Sequence, residues 1–198
     1  MFNIEIKGLK EFESKMNDVV KKQIPFATSR ALNKTAEDIR GKIVSDLPKK
    51  FTLRKPWYKP GSKLGINVEK SHKTNLTAEI YTRAPFMKLH ETGGIKKPFK
   101  GKRIAIPTTN IKRTKKGLIG KAKRPRNLKR SFWIKGKTGQ EILMQRKTKK
   151  KVEAMYMMEK TAKIKPTFEF EKTGKKVAEK TFEKNFEAAL TDALKTAK

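Results

Sequence analysis

The 198-residue chain contains no cysteine and only two histidines, His72 and His90. Without a thiol, disulfide frameworks, cysteine-ligated zinc, iron–sulfur clusters and thiol catalysis are excluded. Two imidazoles are too few for a multi-histidine metal site. Acidic residues are also scarce: 19 Asp and Glu stand against 51 Lys and Arg, a formal net charge of +32 at pH 7. Apolar residues make up 35% of the chain and the mean hydropathy is -0.76. No apolar run approaches the roughly 20 residues of a membrane span, and the opening MFNIEIKGLK lacks the apolar core of a signal peptide. A soluble chain in a cytoplasm-like setting, with no membrane, is therefore expected. The 11 Phe and 7 Met, with the aliphatic residues, suffice for one modest core, and the length suggests one domain. Charge so dominated by one sign predicts a polyanionic partner, DNA or RNA.

The charge is concentrated. Between Glu91 and Glu141 lie 49 residues with no acid and 17 Lys or Arg, so this stretch supplies +17 of the +32. Gly93, Gly94, Pro98, Gly101, Pro107, Gly117, Gly120 and Pro125 punctuate it and break helix and interior strand. It reads as loops around short strands, either a solvated surface or an arm that tracks phosphates. The candidate nucleic-acid or anion contacts are Lys100, Lys102, Arg103, Lys112, Arg113, Lys115, Lys116, Lys121, Lys123, Arg124, Arg126, Lys129 and Arg130. Half a dozen such charges on phosphates would give log K against log salt a slope of about −5.

Apolar periodicity defines the frame. Phe2, Ile4 and Ile6 alternate as a short strand. Leu9, Phe12, Met16, Val19 and Val20, then Ala31, Leu32, Ala36, Ile39, Ile43 and Leu47, follow helical spacing up to Pro48. Pro25 predicts a kink or two abutting helices, and Ala27, Ala31 and Ala36 mark a closely packing face. After a basic connection over 49–63, Leu64-Ile66-Val68 and Leu76-Ala78-Ile80 alternate as an antiparallel hairpin. A short helix over 85–93 ends at Gly93-Gly94, and 104–106 is a brief strand. Phe132-Trp133-Ile134 and Ile142-Leu143-Met144 form a second hairpin, and Val152-Ala154-Tyr156 a third arm beyond a basic turn at 146–151. Pro166 opens a final helix with Phe170, Val177, Phe182, Phe186, Ala189, Ala193 and Leu194 on one face. The predicted class is α+β: a small antiparallel sheet of hairpins packed with long N- and C-terminal helices, plus an extended basic loop region. The expected organisation is a single domain over 1–198, with a basic loop insertion at 95–130 and a hairpin region at 131–158.

Catalytic constellations are absent from this pattern. KKGLIGK at 115–121 lacks the GxxxxGK[ST] spacing that wraps a phosphate before a helix. His90-Glu91 has no second histidine four residues on, so His90 reads as a helix-end residue and no metal or cofactor is expected. Glu37 and Asp38 occupy adjacent helical positions that diverge by about 100°. No enzyme is expected. Trp57 and Tyr58, set among Arg54, Lys55 and Lys59, are candidate base-stacking residues or core residues. Phe132 and Trp133 read better as strand residues with one of them in the core. No sequence-reading helix or zinc finger stands out, so any nucleic-acid contact falls on the backbone.

APFMKLHETGG at 84–94, followed by a basic loop and RIAIP at 103–107, resembles the phage minor tail protein Z and tail-completion protein family. SFWI and the hairpin it opens over 131–147, and the arm at 152–158 beyond a Lys-rich turn, are similar to that family's next elements. GLKEFESKMNDVV at 8–20, ATSRALNKTAEDIRGKI at 27–43 and KPTF at 165–168 match in kind. Met157-Met158-Glu159-Lys160 stands where the family commonly has a Tyr-Gly-Pro-like segment. The resemblance implies a structural tail-completion protein at the head-proximal end of a long tail, found in the virion and, during assembly, in the host cytoplasm. It implies other tail and neck proteins (tail terminator, connector) as partners, and either the phage DNA end or acidic neighbouring subunits as what the basic loops meet. A homo-oligomeric ring follows from the cyclic symmetry of phage necks. The competing reading is a cellular, sequence-independent nucleic-acid-binding protein of ribosomal or nucleoid type.

Overall fold

The computed structural model describes residues 2–5, 18–53, 55–99, 102–137 and 139–195. The part of the first helical pattern at 9–16 lies outside the described residues, as do Ile6, Arg54 and Lys100. The chain divides into two compact units, Met1–Met87 with Phe168–Lys198, and Lys88–Thr167. The architecture is α+β, as its periodicities predict.

The first unit is built on three strands and two long helices. Strands β1 (Phe2–Glu5), β2 (Ile66–Glu69) and β3 (Thr77–Thr82) form an antiparallel sheet in the order β1-β3-β2. Val68 and Phe2 both pair with Ile80, so one register runs across all three strands. Helix α1 (Asp18–Lys50) lays Leu32, Ala36, Ile39, Ile43 and Leu47 on this sheet. Their spacing of three or four keeps them on one stripe, and all are at most 3% exposed beside Ile66, Ala78 and Ile80.

Pro25 does not divide this segment into two helices; α1 runs on through it, and through Pro48 to Lys50. A proline inside a helix removes one backbone hydrogen bond. Here burial outweighs it, because Ile24, Ala27, Thr28, Ala31 and Leu32 around it are fully buried.

Helix α3 (Phe170–Lys195) runs antiparallel to α1. Ala27 and Ala31 meet Ala189 and Ala193, flanked by Phe26, Phe182, Phe186 and Leu190, so small side chains admit the close approach that the alanine pattern predicts. Asn185 donates to Thr35 Oγ1 and Asp38 Oδ2, both at 3.0 Å. At the other end Lys50 Nζ donates to the Phe168 carbonyl at 2.9 Å and to Glu169 at 2.7 Å. Hydrogen bonds from Lys50 and Lys172 hold the Glu169 carboxyl below the ordinary carboxylate range. Two expectations for α3 are corrected. It begins at Phe170 rather than at Pro166, which follows the last strand, and Leu194 is 44% exposed instead of lying on the packed face.

A polar clamp fixes the β2–β3 connection onto α1. Ser71, 2% exposed, receives the Ser29 hydroxyl on its carbonyl at 3.0 Å and donates its own hydroxyl to the Ser29 carbonyl at 3.1 Å. The Asn33 amide accepts from Ser71 N–H at 2.7 Å and donates to Ser71 C=O at 3.1 Å. Every polar group of Ser71 is thereby satisfied.

The second unit holds two sheets. Helix α2 (Pro85–Thr92) leads across the unit boundary into β4 (Gly94–Lys96), which pairs with β9 (Ala162–Ile164). Gly93, at φ +72°, lies so close to Pro166 that an added Cβ would stand 3.0 Å from its Cδ; glycine alone suits this turn. Strands β5 (Ile104–Pro107), β6 (Ser131–Lys135), β7 (Glu141–Arg146) and β8 (Val152–Glu159) form an antiparallel sheet in the order β5-β8-β7-β6. The β6–β7 hairpin and the β8 arm appear as predicted. Pairing of β5 with β8 adds a fourth, long-range strand. Between Leu143↔Tyr156 and Met144↔Ala154 the ladder skips Met155. Such a bulge turns two successive residues toward one face, and Met155 and Tyr156 are both buried, at 1% and 2% exposure.

Candidate nucleic-acid interface

The basic segment is a folded cover rather than a free arm. From the end of β5, Thr108 donates its N–H to Met155 O at 3.0 Å and its hydroxyl to Ala154 O at 2.6 Å. Asn110 adds a bond to Ala154 O at 2.9 Å. These donors reach the carbonyls around the bulge of β8, where the strand ladder is interrupted. Ile111 and Leu128 then insert beside Leu143, Met155 and Tyr156, with Ala105 and Ile119 at the margin. Gly117, at φ +70°, closes a turn in which Gly117 N–H bonds Thr114 O at 2.8 Å. Two 3₁₀ turns follow, Lys121–Lys123 and Pro125–Asn127, tied together by Asn127 Nδ2 on Lys121 O at 3.0 Å. The Tyr156 hydroxyl donates to Lys123 O at 2.7 Å. At the exit, Gln145 Nε2 bonds Lys129 O and Arg146 N–H bonds Arg130 O, each at 3.0 Å. An apolar peg near each end and hydrogen bonds along its length make 108–130 a packed loop.

Its pegs point inward, so its cations point outward. Lys102, Lys112, Arg113, Lys115, Lys116, Lys121, Arg124, Arg126, Lys129 and Arg130 are exposed, and Lys123 is half-buried. Arg103 is also half-buried and pairs with Glu141 at 3.2 Å, which spends its charge internally. Lys100 lies outside the described residues. Arg113 and Arg124 act together on Tyr156: burial raises its pKa and these two guanidinium groups pull it back. Arg113 and Arg124 thus act on the hydroxyl that the Lys123 backbone carbonyl receives.

The candidate set misses a neighbouring cluster. Arg146 at the end of β7 and Lys147, Lys149, Lys150 and Lys151 of the β7–β8 turn form it. Hydrogen bonding from Lys151, then the charges of Lys151, Lys147 and Lys112, hold the Glu153 carboxyl low. Lys112 of the cover and the turn lysines therefore share one neighbourhood. The Lys run at 147–151 is the signal that points to it.

The aromatic candidates separate. Trp57 and Tyr58 lie in the first unit, half-buried against its core, where Trp57 meets Tyr58 edge-on at 6.1 Å and Phe86 at 4.9 Å. Phe132 and Trp133, one of which is expected in the core, are both exposed instead, at 37% and 52%. Strands favour aromatics on either face, so composition alone does not place them inside. The Arg146 guanidinium lies 5.8 Å from the Phe132 ring centroid. His90 sits in the last turn of α2, as expected. Burial, then the charge of Lys96, lowers its pKa. Among the described residues no three His, Cys, Asp or Glu side chains form a metal-binding group.

A model of the prophage minor tail protein Z family matches residues 6–198, nearly the whole chain. The chain belongs to that family. No curated protein and no solved structure matches it. The chain is therefore a phage minor tail protein, as the order of its motifs indicates, and its class places it in the virion among other phage structural proteins. Membership in a structural family points to a non-enzyme. Among the described residues no helix of this minor tail protein is long and apolar enough to cross a membrane.

Proposed function

We propose that this minor tail protein completes the head-proximal end of the tail, aids head–tail joining, and meets the DNA end through the cover at 108–130. The observation that carries the reading is the folded, acid-free cover, whose apolar pegs leave nine described candidate cations exposed. Phosphate contact needs cations on a stable surface but no base-reading element, and the cover is such a surface. A ring of copies would set these covers around one axis and produce a strong anion-attracting field. The DNA, or acidic faces of the tail terminator or connector, would offset the self-repulsion.

Deletion of the gene from an inducible prophage tests the reading. The expected products are separate filled heads and tails, or joined particles that fail to deliver DNA, seen by electron microscopy and plaque titre. Fully infectious particles overturn it. A growth defect of the host without any particle defect favours the cellular nucleic-acid-binding alternative.

A further inference from the structure

The four-stranded sheet has a second face. Its cover and small core lie on the side of Leu143 and Tyr156. Because side chains alternate along a strand, the ladder sets the neighbouring residues on the opposite side. Ile134 pairs with Ile142, Ile142 with Met157, and Met157 with Ile106, an apolar row across all four strands. Phe132 and Met144 pair in the next row. None of these six belongs to a buried cluster, and Phe132, Ile134 and Met157 are 37%, 38% and 36% exposed. At a strand spacing of about 4.8 Å and a rise of about 3.3 Å per residue, the six positions take roughly 190 Å² of sheet, with Ile106, Ile142 and Met144 half-buried; the apolar row is contiguous and rimmed by charge, as interaction patches are.

Its surroundings state the partner's charge. Arg146 stands on this face over Phe132. Exposed Lys149, Lys150 and Lys151 lie in the turn at one end of the sheet, and Lys135 and Lys160 at the other. Two acids stand at that margin, Glu159, which receives a hydrogen bond from Gln140, and Glu141, which pairs with Arg103. Residues 88–167 contain 26 Lys or Arg and 4 Asp or Glu, a balance of +22. Two copies meeting through this face would bring like charges together. DNA gains nothing from an apolar surface without donors.

We infer that the open face of the β5-β8-β7-β6 sheet docks an acidic phage structural protein, with apolar side chains at the centre and carboxylates opposite the basic ends. The sheet then separates two partners: the cover on one side for DNA, the bare face on the other for protein. The docking face does not depend on the DNA reading, and the two are measured apart.

The test uses the full chain, each acidic structural protein of the same phage purified singly, and a DNA duplex. One acidic protein should bind. The double substitution Ile134→Glu with Met157→Glu, which places like charge before the partner's carboxylates, should weaken that binding by roughly 30-fold or more, as loss of a hot-spot pair does. The same variant should keep the wild-type melting temperature and DNA affinity. A photo-crosslinker at position 134 should join that protein in assembled particles, whereas one at position 116 should not. Unchanged binding by the variant, capture of a second copy or of DNA at position 134, or no binding by any acidic protein overturns the inference.

Discussion

Neutralising Lys121, Lys123, Arg124 and Arg126 together to Gln removes four cations from the 3₁₀ turns of the cover. None of these side chains is buried, and the bond between Tyr156 and residue 123 uses the backbone carbonyl. The variant should therefore retain its fold. If six exposed cations touch phosphates, log K against log salt has a slope of about −5, and losing four leaves a slope of about −2. Raising salt from about 50 to 200 mM would then weaken the wild-type chain about 1,000-fold and the variant about 16-fold. Fluorescence anisotropy with two duplexes of unrelated sequence measures both slopes, and near-ultraviolet circular dichroism checks the fold. As an internal control, Arg103→Gln should change the slope by less than about 1, because Glu141 already neutralises Arg103. A four-residue variant with the wild-type slope, or duplexes of different sequence bound with very different affinities, would refute the reasoning.

The polar clamp and the cover offer two further checks. Asn33→Ala leaves the buried N–H and C=O of Ser71 without their amide partner; the expected cost is about 1–3 kcal/mol, read as a lower melting temperature and faster exchange of the Ser71 amide. Unchanged exchange at Ser71 would mean that the clamp does not fix the β2–β3 connection. Tyr156 has its pKa raised above 10.0, chiefly by burial. Its contribution to stability is therefore complete below pH 10 and lost as the pH rises through the raised value. Tyr156→Phe should remove that alkaline step and cost about 1 kcal/mol at neutral pH, and an alkaline step of the same size in the variant would assign it to another group.

Elements with their own periodicity were legible from residues alone. The β6–β7 hairpin announces itself by two apolar triplets around a turn with two glycines, and α1 and α3 by apolar positions three and four apart. Long-range relations carried no such mark. β5 joins β8 across about 50 residues, and nothing local in RIAIP names its partner. β4 and β9 are three residues each, too short for alternation to register. The folding of the cover rests on isolated pegs, Ile111 and Leu128, which lack any period in a Gly- and Pro-broken stretch. Alternation also establishes that two faces exist without saying which is covered. Hence the pattern marks Phe132 and Trp133 as strand residues, but the core position expected for one of them is filled by neither. At Pro25 a local rule met tertiary burial and lost.

The placement of charge follows from the same division. Residues 88–167 carry +22, while the remaining residues, with 25 Lys or Arg and 15 Asp or Glu, carry +10. The large core of the first unit bears the modest charge, and the extreme charge sits on a unit whose core, among the described residues, is five buried side chains. Self-repulsion of that size opposes the compact state, so the pegs and hydrogen bonds of the cover work against it. Any polyanion that binds the folded cover more tightly than the unfolded one adds to its stability. In the proposed role this coupling gives order to assembly: free copies repel one another in the host cell, and the cover reaches its full stability only beside DNA or an acidic neighbour. On that proposal, a charge that weakens the isolated protein is the reason it settles beside a polyanion at the head–tail junction.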